Sequence, residues 1–133
     1  MKTIEYADAL RALNEAVKAK GYKYVYPRTE RSANYCYNIW NGQPDCIVGT
    51  ALVWLGVPIE WFEAEPSREN DDVGDVCKAL LLDGKFEFTE DAKDLLGQAQ
   101  THQDNGIPWG EAVTLAHLGG LTFENLGLHS DVK

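Results

Sequence analysis

A ten-residue apolar run at positions 46–55 constrains the fold more than any other feature of the chain. Its sequence is CIVGTALVWL, and it is preceded by Pro44 and Asp45 and followed by Gly56. Asp and Gly at these places are typical of the start and the end of a helix, and the carboxylate of Asp45 suits the positive end of the helix dipole. A helix that is apolar on nearly every side is buried. We therefore expect a helix that begins at Cys46 and forms the centre of one core.

Apolar spacing and capping residues predict the other helices. Thr3 is the expected N-cap of the first helix, and residues 63–70 (EAEPSREN) are expected to form a mobile loop between two of the later ones. The predicted helical segments are residues 3–20, a short turn within 57–62, residues 72–82, residues 89–104 and residues 108–119, with a last turn at 123–126.

Strands are predicted at two neighbouring aromatic segments. In residues 22–26 (YKYVY), tyrosines alternate with Lys23 and Val25. Residues 35–40 (YCYNIW) are rich in residues that favour strands, so the two segments are expected to pair. Residues 86–88 form a third short strand or an extended link. The predicted fold class is α+β, mainly helical, with a small antiparallel two- or three-stranded sheet packed on the central apolar helix.

The length of the chain predicts its domain organisation. At 133 residues it has the usual size of one domain. We expect a single compact domain over residues 1–128 and a frayed C-terminal tail over residues 129–133.

The predicted strands make their tyrosines candidate binding residues. Alternation places Tyr22, Tyr24 and Tyr26 on one face of the first strand. It likewise places Tyr35 and Tyr37 on one face of the second strand. Such faces could form an aromatic platform for a base or for a partner protein. They could equally be ordinary cross-strand packing.

Charge is distributed unevenly along the chain, whose net charge is −9. Residues 60–75 hold seven acidic residues against Arg68 alone. This balance disfavours direct binding to nucleic acid, which needs clustered Lys and Arg. The segment could bind a basic partner, imitate DNA, or simply keep the protein in solution. Its candidate binding residues are Glu63, Glu65, Asp71 and Asp72.

The three cysteines indicate the compartment. Cys36, Cys46 and Cys77 are odd in number and irregular in spacing, and no apolar run approaches the roughly 18 residues of a membrane helix. We expect reduced thiols, a cytoplasmic location and no membrane association. The sequence has no C-x-x-C and no H-x(3–5)-H spacing, so we expect neither a metal nor a cofactor.

Catalysis has one candidate, the thiol at the start of the central helix. A helix N-terminus favours a thiolate, but the neighbouring carboxylate of Asp45 opposes it, and His102 and His117 lie in predicted helices. We therefore assign no catalytic residue and keep a cysteine-dependent hydrolase at Cys46 as an alternative.

A polar cluster near the end of the fifth predicted helix is the other candidate site. Gln103 and Asp104 belong to residues 98–105, whose amides and carboxylate could bind a small ligand or cap the helix end.

Five short segments carry a family resemblance, namely YCY at 35–37, GQPDCIVGTAL at 42–52, LGV at 55–57, QDNG at 103–106 and WGEAV at 109–113. They resemble a family of small accessory proteins encoded by actinobacteriophages, of the mycobacteriophage type. The resemblance implies an accessory role in the cytosol of an infected or lysogenic bacterium, and it assigns no activity. The leading hypothesis is a non-enzymatic protein that binds a host protein through its acidic segment or its tyrosine strands. The second hypothesis is a protein that binds or sequesters a small, nucleotide-like molecule. Assembly into a homo-oligomer is a further possibility.

Overall fold

The computed structural model describes residues 1–27 and 37–119, and the fold of these residues is mainly helical with a few short strands. This agrees with the predicted α+β class. In chain order the elements are β1 Lys2–Ile4, α1 Tyr6–Lys20, β2 Ile39–Trp40, β3 Gln43–Pro44, α2 Ile47–Trp54, α3 Ile59–Glu63, a 3₁₀ turn at Pro66–Glu69, α4 Val73–Leu82, β4 Phe86–Phe88, α5 Glu90–Asp104 and α6 Trp109–Gly119.

The central position of α2 is confirmed. Ile47, Val48, Ala51 and Leu52 are fully buried, and the helix contacts both α1 and α5. Gly49 is the point of closest approach, because a Cβ there would overlap the backbone of Asn38. The helix is therefore buried on several sides, as its apolar sequence requires.

The sheet differs from the prediction. β1 pairs in parallel with β4, Ile4 lying opposite Phe88, and β2 pairs antiparallel with β3, Trp40 lying opposite Gln43. The predicted strand at residues 22–26 is wrong. The backbone carbonyls of Tyr22 and Tyr24 instead accept from the amides of Gly110 and Trp109, at 2.9 and 2.8 Å. They thus satisfy the first free amides of α6 rather than those of a neighbouring strand.

The start of the first helix also differs. Thr3 is not its N-cap, because residues 2–4 are taken up by pairing with β4. The helix begins at Tyr6 after Glu5, whose amide donates to the Asp8 carboxylate at 2.9 Å. Pairing across the molecule therefore overrides a local capping signal.

The later helices lie close to their predicted bounds. Asp72 and Thr89 cap α4 and α5 through hydrogen bonds from Asp75 N at 2.9 Å and Ala92 N at 3.3 Å. Residues 63–70, predicted as a loop, hold the end of α3 and the 3₁₀ turn. The turn predicted at 123–126 and the tail at 129–133 lie outside the described residues. Within 1–27 and 37–119, none of the helices has the length and apolar character needed to cross a membrane.

Candidate functional site: a buried polar cluster beneath an acidic surface

Five residues around the N-terminus of α2 form a buried polar cluster. They are Tyr26, Asn38, Asp45, Cys46 and Gln103, and none of them is more than 7% exposed. Burying polar groups is unfavourable unless they are hydrogen-bonded. The hydrogen-bond partners of these five side chains therefore show which segments the polar cluster holds in place.

Cys46, rather than Asp45, is the N-cap of α2. Its Sγ accepts from the amide of Gly49 at 3.4 Å and donates to Asn38 Oδ1 at 3.4 Å. The amide of Ile47 donates to Gln103 Oε1 at 2.8 Å. The sequence interpretation of Asp45 as the cap is wrong, because a thiol and a side-chain amide satisfy these first-turn amides.

Asp45 instead accepts a hydrogen bond from the hydroxyl of Tyr26. That hydroxyl also accepts from the amide of Tyr37 at 3.1 Å. Burial, reinforced by the hydrogen bond to Asp45, raises the pKa of Tyr26 far above its ordinary value. The phenol therefore keeps its proton and remains a donor to Asp45.

Asn38 joins the polar cluster to the acidic segment. Its Nδ2 donates to the carbonyls of Arg68 and Asp71 at 3.0 and 3.1 Å, and its backbone amide donates to the carbonyl of Glu69 at 2.6 Å. A single buried residue thus fixes the backbone of residues 68–71.

Arg68, the one basic residue of the acidic segment, is held by Trp61 and Asp83. Its guanidinium lies 4.0 Å from the centre of the Trp61 ring, donates to the Trp61 carbonyl at 2.9 Å and pairs with Asp83 at 3.3 Å. Trp61 Nε1 donates to the same Asp83 carboxylate at 2.8 Å. Arg68 therefore anchors the segment through Trp61 and Asp83.

Most carboxylates of this segment are exposed, and we call these carboxylates, with Asp71, the acidic surface. Its exposed members are Glu60, Glu63, Glu65, Asp72 and Asp75, and Asp71 is half-buried beside them. Partial burial raises the pKa of Asp71, and the nearby carboxylates of Asp75 and Asp72 raise it further. Several of these negative charges are thus close enough to repel one another.

The candidate tyrosines pack on different elements. Tyr24 stacks edge-to-face on Trp109 at 4.9 Å between ring centres, with the Lys20 ammonium 5.5 Å from its ring. Tyr37 stacks edge-to-face on Trp40 at 4.7 Å. Tyr35 lies outside the described residues. Without the predicted strand at residues 22–26, the basis for an aromatic platform is lost.

The predicted ligand-binding pair on α5 has an internal role. Gln103 is fully buried, and its Nε2 donates to Asp104 Oδ1 at 2.9 Å while its Oε1 caps α2. The sequence did not single out Tyr26 or Asn38. Tyr26 looks like one strand tyrosine among several, and Asn38 carries no signal that distinguishes it from a surface residue.

Comparison of the chain with protein-family models, with curated proteins and with solved structures finds no match in any of the three. In the part of the chain that the structure describes, no group of three or more His, Cys, Asp or Glu side chains could hold a metal ion. Function is therefore inferred from the side chains themselves.

Proposed function

We propose that this protein binds a basic surface of another protein through its acidic surface, as a phage-encoded accessory protein acting on a host protein in the bacterial cytosol. The observation that supports the proposal most directly is the anchoring of the acidic segment by Asn38 and Arg68. The phage origin and the cytoplasmic location rest on the resemblance in the sequence.

Anchoring matters because ordering a charged segment on binding reduces affinity. A segment already held in one conformation loses less conformational entropy when its partner arrives. Exposed carboxylates within one segment also speed the approach of a basic partner. Unanchored acidic residues would be sufficient for solubility, so three hydrogen bonds from Asn38 to residues 68–71 favour recognition.

A non-enzymatic role is part of the proposal. The Cys46 side chain is fully buried and already both donates and accepts a hydrogen bond. A nucleophile needs access to its substrate and a base within hydrogen-bond reach. This thiol contacts a side-chain amide oxygen and a backbone amide, and both contacts suit a structural cap.

Affinity capture with charge variants tests the proposal. The full chain is immobilised and exposed to a lysate of an actinobacterial host beside the double variant Glu63→Lys/Glu65→Lys. Glu87→Lys/Glu111→Lys is the matched control, because both of its positions are exposed and the change in net charge is the same. A partner that binds the acidic surface is enriched by the wild type and the control and lost with the double variant.

Salt dependence supplies the second measurement. Once the partner is purified, its Kd for the wild type should rise with ionic strength, because salt screens exposed charges over about 8–10 Å. Equal capture by all three proteins, or a Kd that does not change with salt, would refute the proposed surface. Circular dichroism of each variant confirms that it is folded.

A further inference from the structure

A second surface lies between α4, β4 and the start of α5, away from the buried polar cluster. It is a cleft of about 280 Å³ lined by Gly74, Cys77, Lys78, Leu81, Phe88 and Lys93. A shallower groove of about 470 Å³ adjoins it, and Gly74 and Lys93 line both. The cleft is therefore the deeper end of a longer depression.

The cleft has an apolar, uncharged floor. Phe88 and Cys77 are 8% and 3% exposed, and Leu81 is 46% exposed at the same cleft. Burial raises the pKa of the Cys77 thiol to about 12, so this side chain is neutral at physiological pH. An apolar molecule in the cleft would cover the exposed part of Leu81 and meet no charge on the floor.

Two lysines border this apolar floor. Lys78 is exposed on α4, and Lys93 on α5 pairs with Glu90 at 2.6 Å. The hydrogen bond to Glu90 raises the pKa of Lys93, which stays cationic. None of the described residues that line the cleft is acidic, since Glu90 lines only the adjoining groove. The cleft is thus bordered by two cationic side chains, one of them paired with Glu90, in a chain of net charge −9.

Gly74 keeps the cleft open, although packing does not require a glycine there. A Cβ at this position would meet only Asp72 Oδ1, at an ordinary 3.5 Å. The small residue therefore leaves space at this side of the cleft.

We propose that the cleft binds a small organic anion with an apolar body, its anionic group between Lys78 and Lys93 and its body against Cys77, Leu81 and Phe88. A volume of about 280 Å³ lies at the small end of ligand pockets and suits a small molecule. This inference is independent of the acidic surface and its partner.

Titration of the ¹⁵N-labelled full chain with octanoate and with neutral octanol tests the charge and the location together. Octanoate should shift the amide resonances of Gly74, Cys77 and Leu81 and bind at least about tenfold more tightly than octanol. Equal binding of the two probes, shifts centred elsewhere, or no shift with millimolar octanoate would each overturn the proposal.

Three variants sharpen the test. Lys78→Gln/Lys93→Gln should weaken octanoate binding to the level of octanol, and Gly74→Leu should block both probes by filling the cleft. Lys18→Gln/Lys23→Gln is the matched control, because it also removes two positive charges at exposed positions and Lys18 pairs with Glu15 at the same i,i+3 spacing as Lys93 with Glu90. A loss of binding in this control as large as in the Lys78/Lys93 variant would show only a general charge effect and overturn the site.

Discussion

Gly49 shows how much one residue decides in this fold. The absence of a side chain lets α2 approach the backbone of Asn38, whose other groups hold the acidic segment. The sequence predicts a close approach at Gly49 from its place in an apolar helix. The sequence does not identify Asn38 as the segment that approaches Gly49, because Asn38 lies outside the helix, before the turn that leads into it.

Substitution of Gly49 by Ala is expected to destabilise the protein by about 1–3 kcal/mol, because the new methyl group would overlap rigid backbone. Gly97→Ala is the matched control. A Cβ at Gly97 meets nothing within 4 Å, so alanine there should stabilise α5 by up to about 1 kcal/mol. Urea unfolding measures both free energies. If Gly49→Ala unfolds at the urea concentration of the wild type, the close approach is wrong.

The buried thiols are expected to resist alkylation in the native protein. The Cys46 and Cys77 thiols are both buried, and only an exposed thiolate reacts quickly with iodoacetamide. Mass spectrometry of digested protein should show little label at either residue at neutral pH, and full label at both after unfolding in urea. Rapid native labelling of Cys46 would revive the cysteine-dependent hydrolase.

Helices and strands differ in how far the sequence predicts them. α4 and α5 have apolar periodicity and a capping residue, Asp72 or Thr89, so both could be placed closely. β1 has three residues and pairs with β4, more than eighty positions away, and neither strand is long enough to show a period of two. Short strands are set by tertiary contacts that local patterns do not contain.

The link between α5 and α2 is expected to be stabilising. In Gln103→Met the side chain keeps its approximate volume but loses the acceptor for Ile47 N, which leaves a buried amide unsatisfied. The expected loss is about 1–3 kcal/mol in the free energy of unfolding. Gln98→Met, at a half-buried position of the same helix, should change it by no more than about 0.5 kcal/mol. Equal effects of the two substitutions would contradict the capping role.

The start of α4 combines a cap with repelling charges. Asp72→Ala removes the acceptor for Asp75 N and should reduce stability by about 1 kcal/mol. Asp72→Asn keeps an acceptor and removes one of the charges that act on Asp71, so it should be at least as stable as the wild type. Thermal unfolding at low ionic strength distinguishes them. The cap would be refuted if Asn and Ala lowered the Tm alike.

At the scale of the whole molecule, the sequence predicts where the candidate site lies along the chain, but it does not predict which side chains connect its parts. The apolar run places the centre of the fold at α2, and the charge run places an acidic surface after it. Their connection through Asn38, and the anchoring of Arg68 on Trp61, arise only when distant segments meet. The tyrosine pattern misled because the carbonyls of Tyr22 and Tyr24 are used by α6.

Alkaline pH should destabilise the whole fold, because three buried or partly buried acids are held in their protonated forms. Burial raises the pKa of Cys77 from 9.0 to about 12, and it raises those of Tyr26 and Tyr6 above 10.0. Their unfolded counterparts ionise first, so above about pH 9 the unfolded chain binds fewer protons than the folded one. The stabilisation is complete below about pH 9 and is lost as the pH rises toward the folded pKa values.

The slope of the unfolding free energy against pH measures this loss. Urea unfolding between about pH 8 and 11 should give a free energy that falls with pH, and Cys77→Ala and Tyr26→Phe should each flatten the fall by removing one titrating group. Tyr26→Phe should also reduce stability at pH 8, because Asp45 and the Tyr37 amide lose their partner. A constant free energy over this range would mean that these groups are solvated in the folded protein. The buried hydrogen bond between Tyr26 and Asp45 would then be wrong.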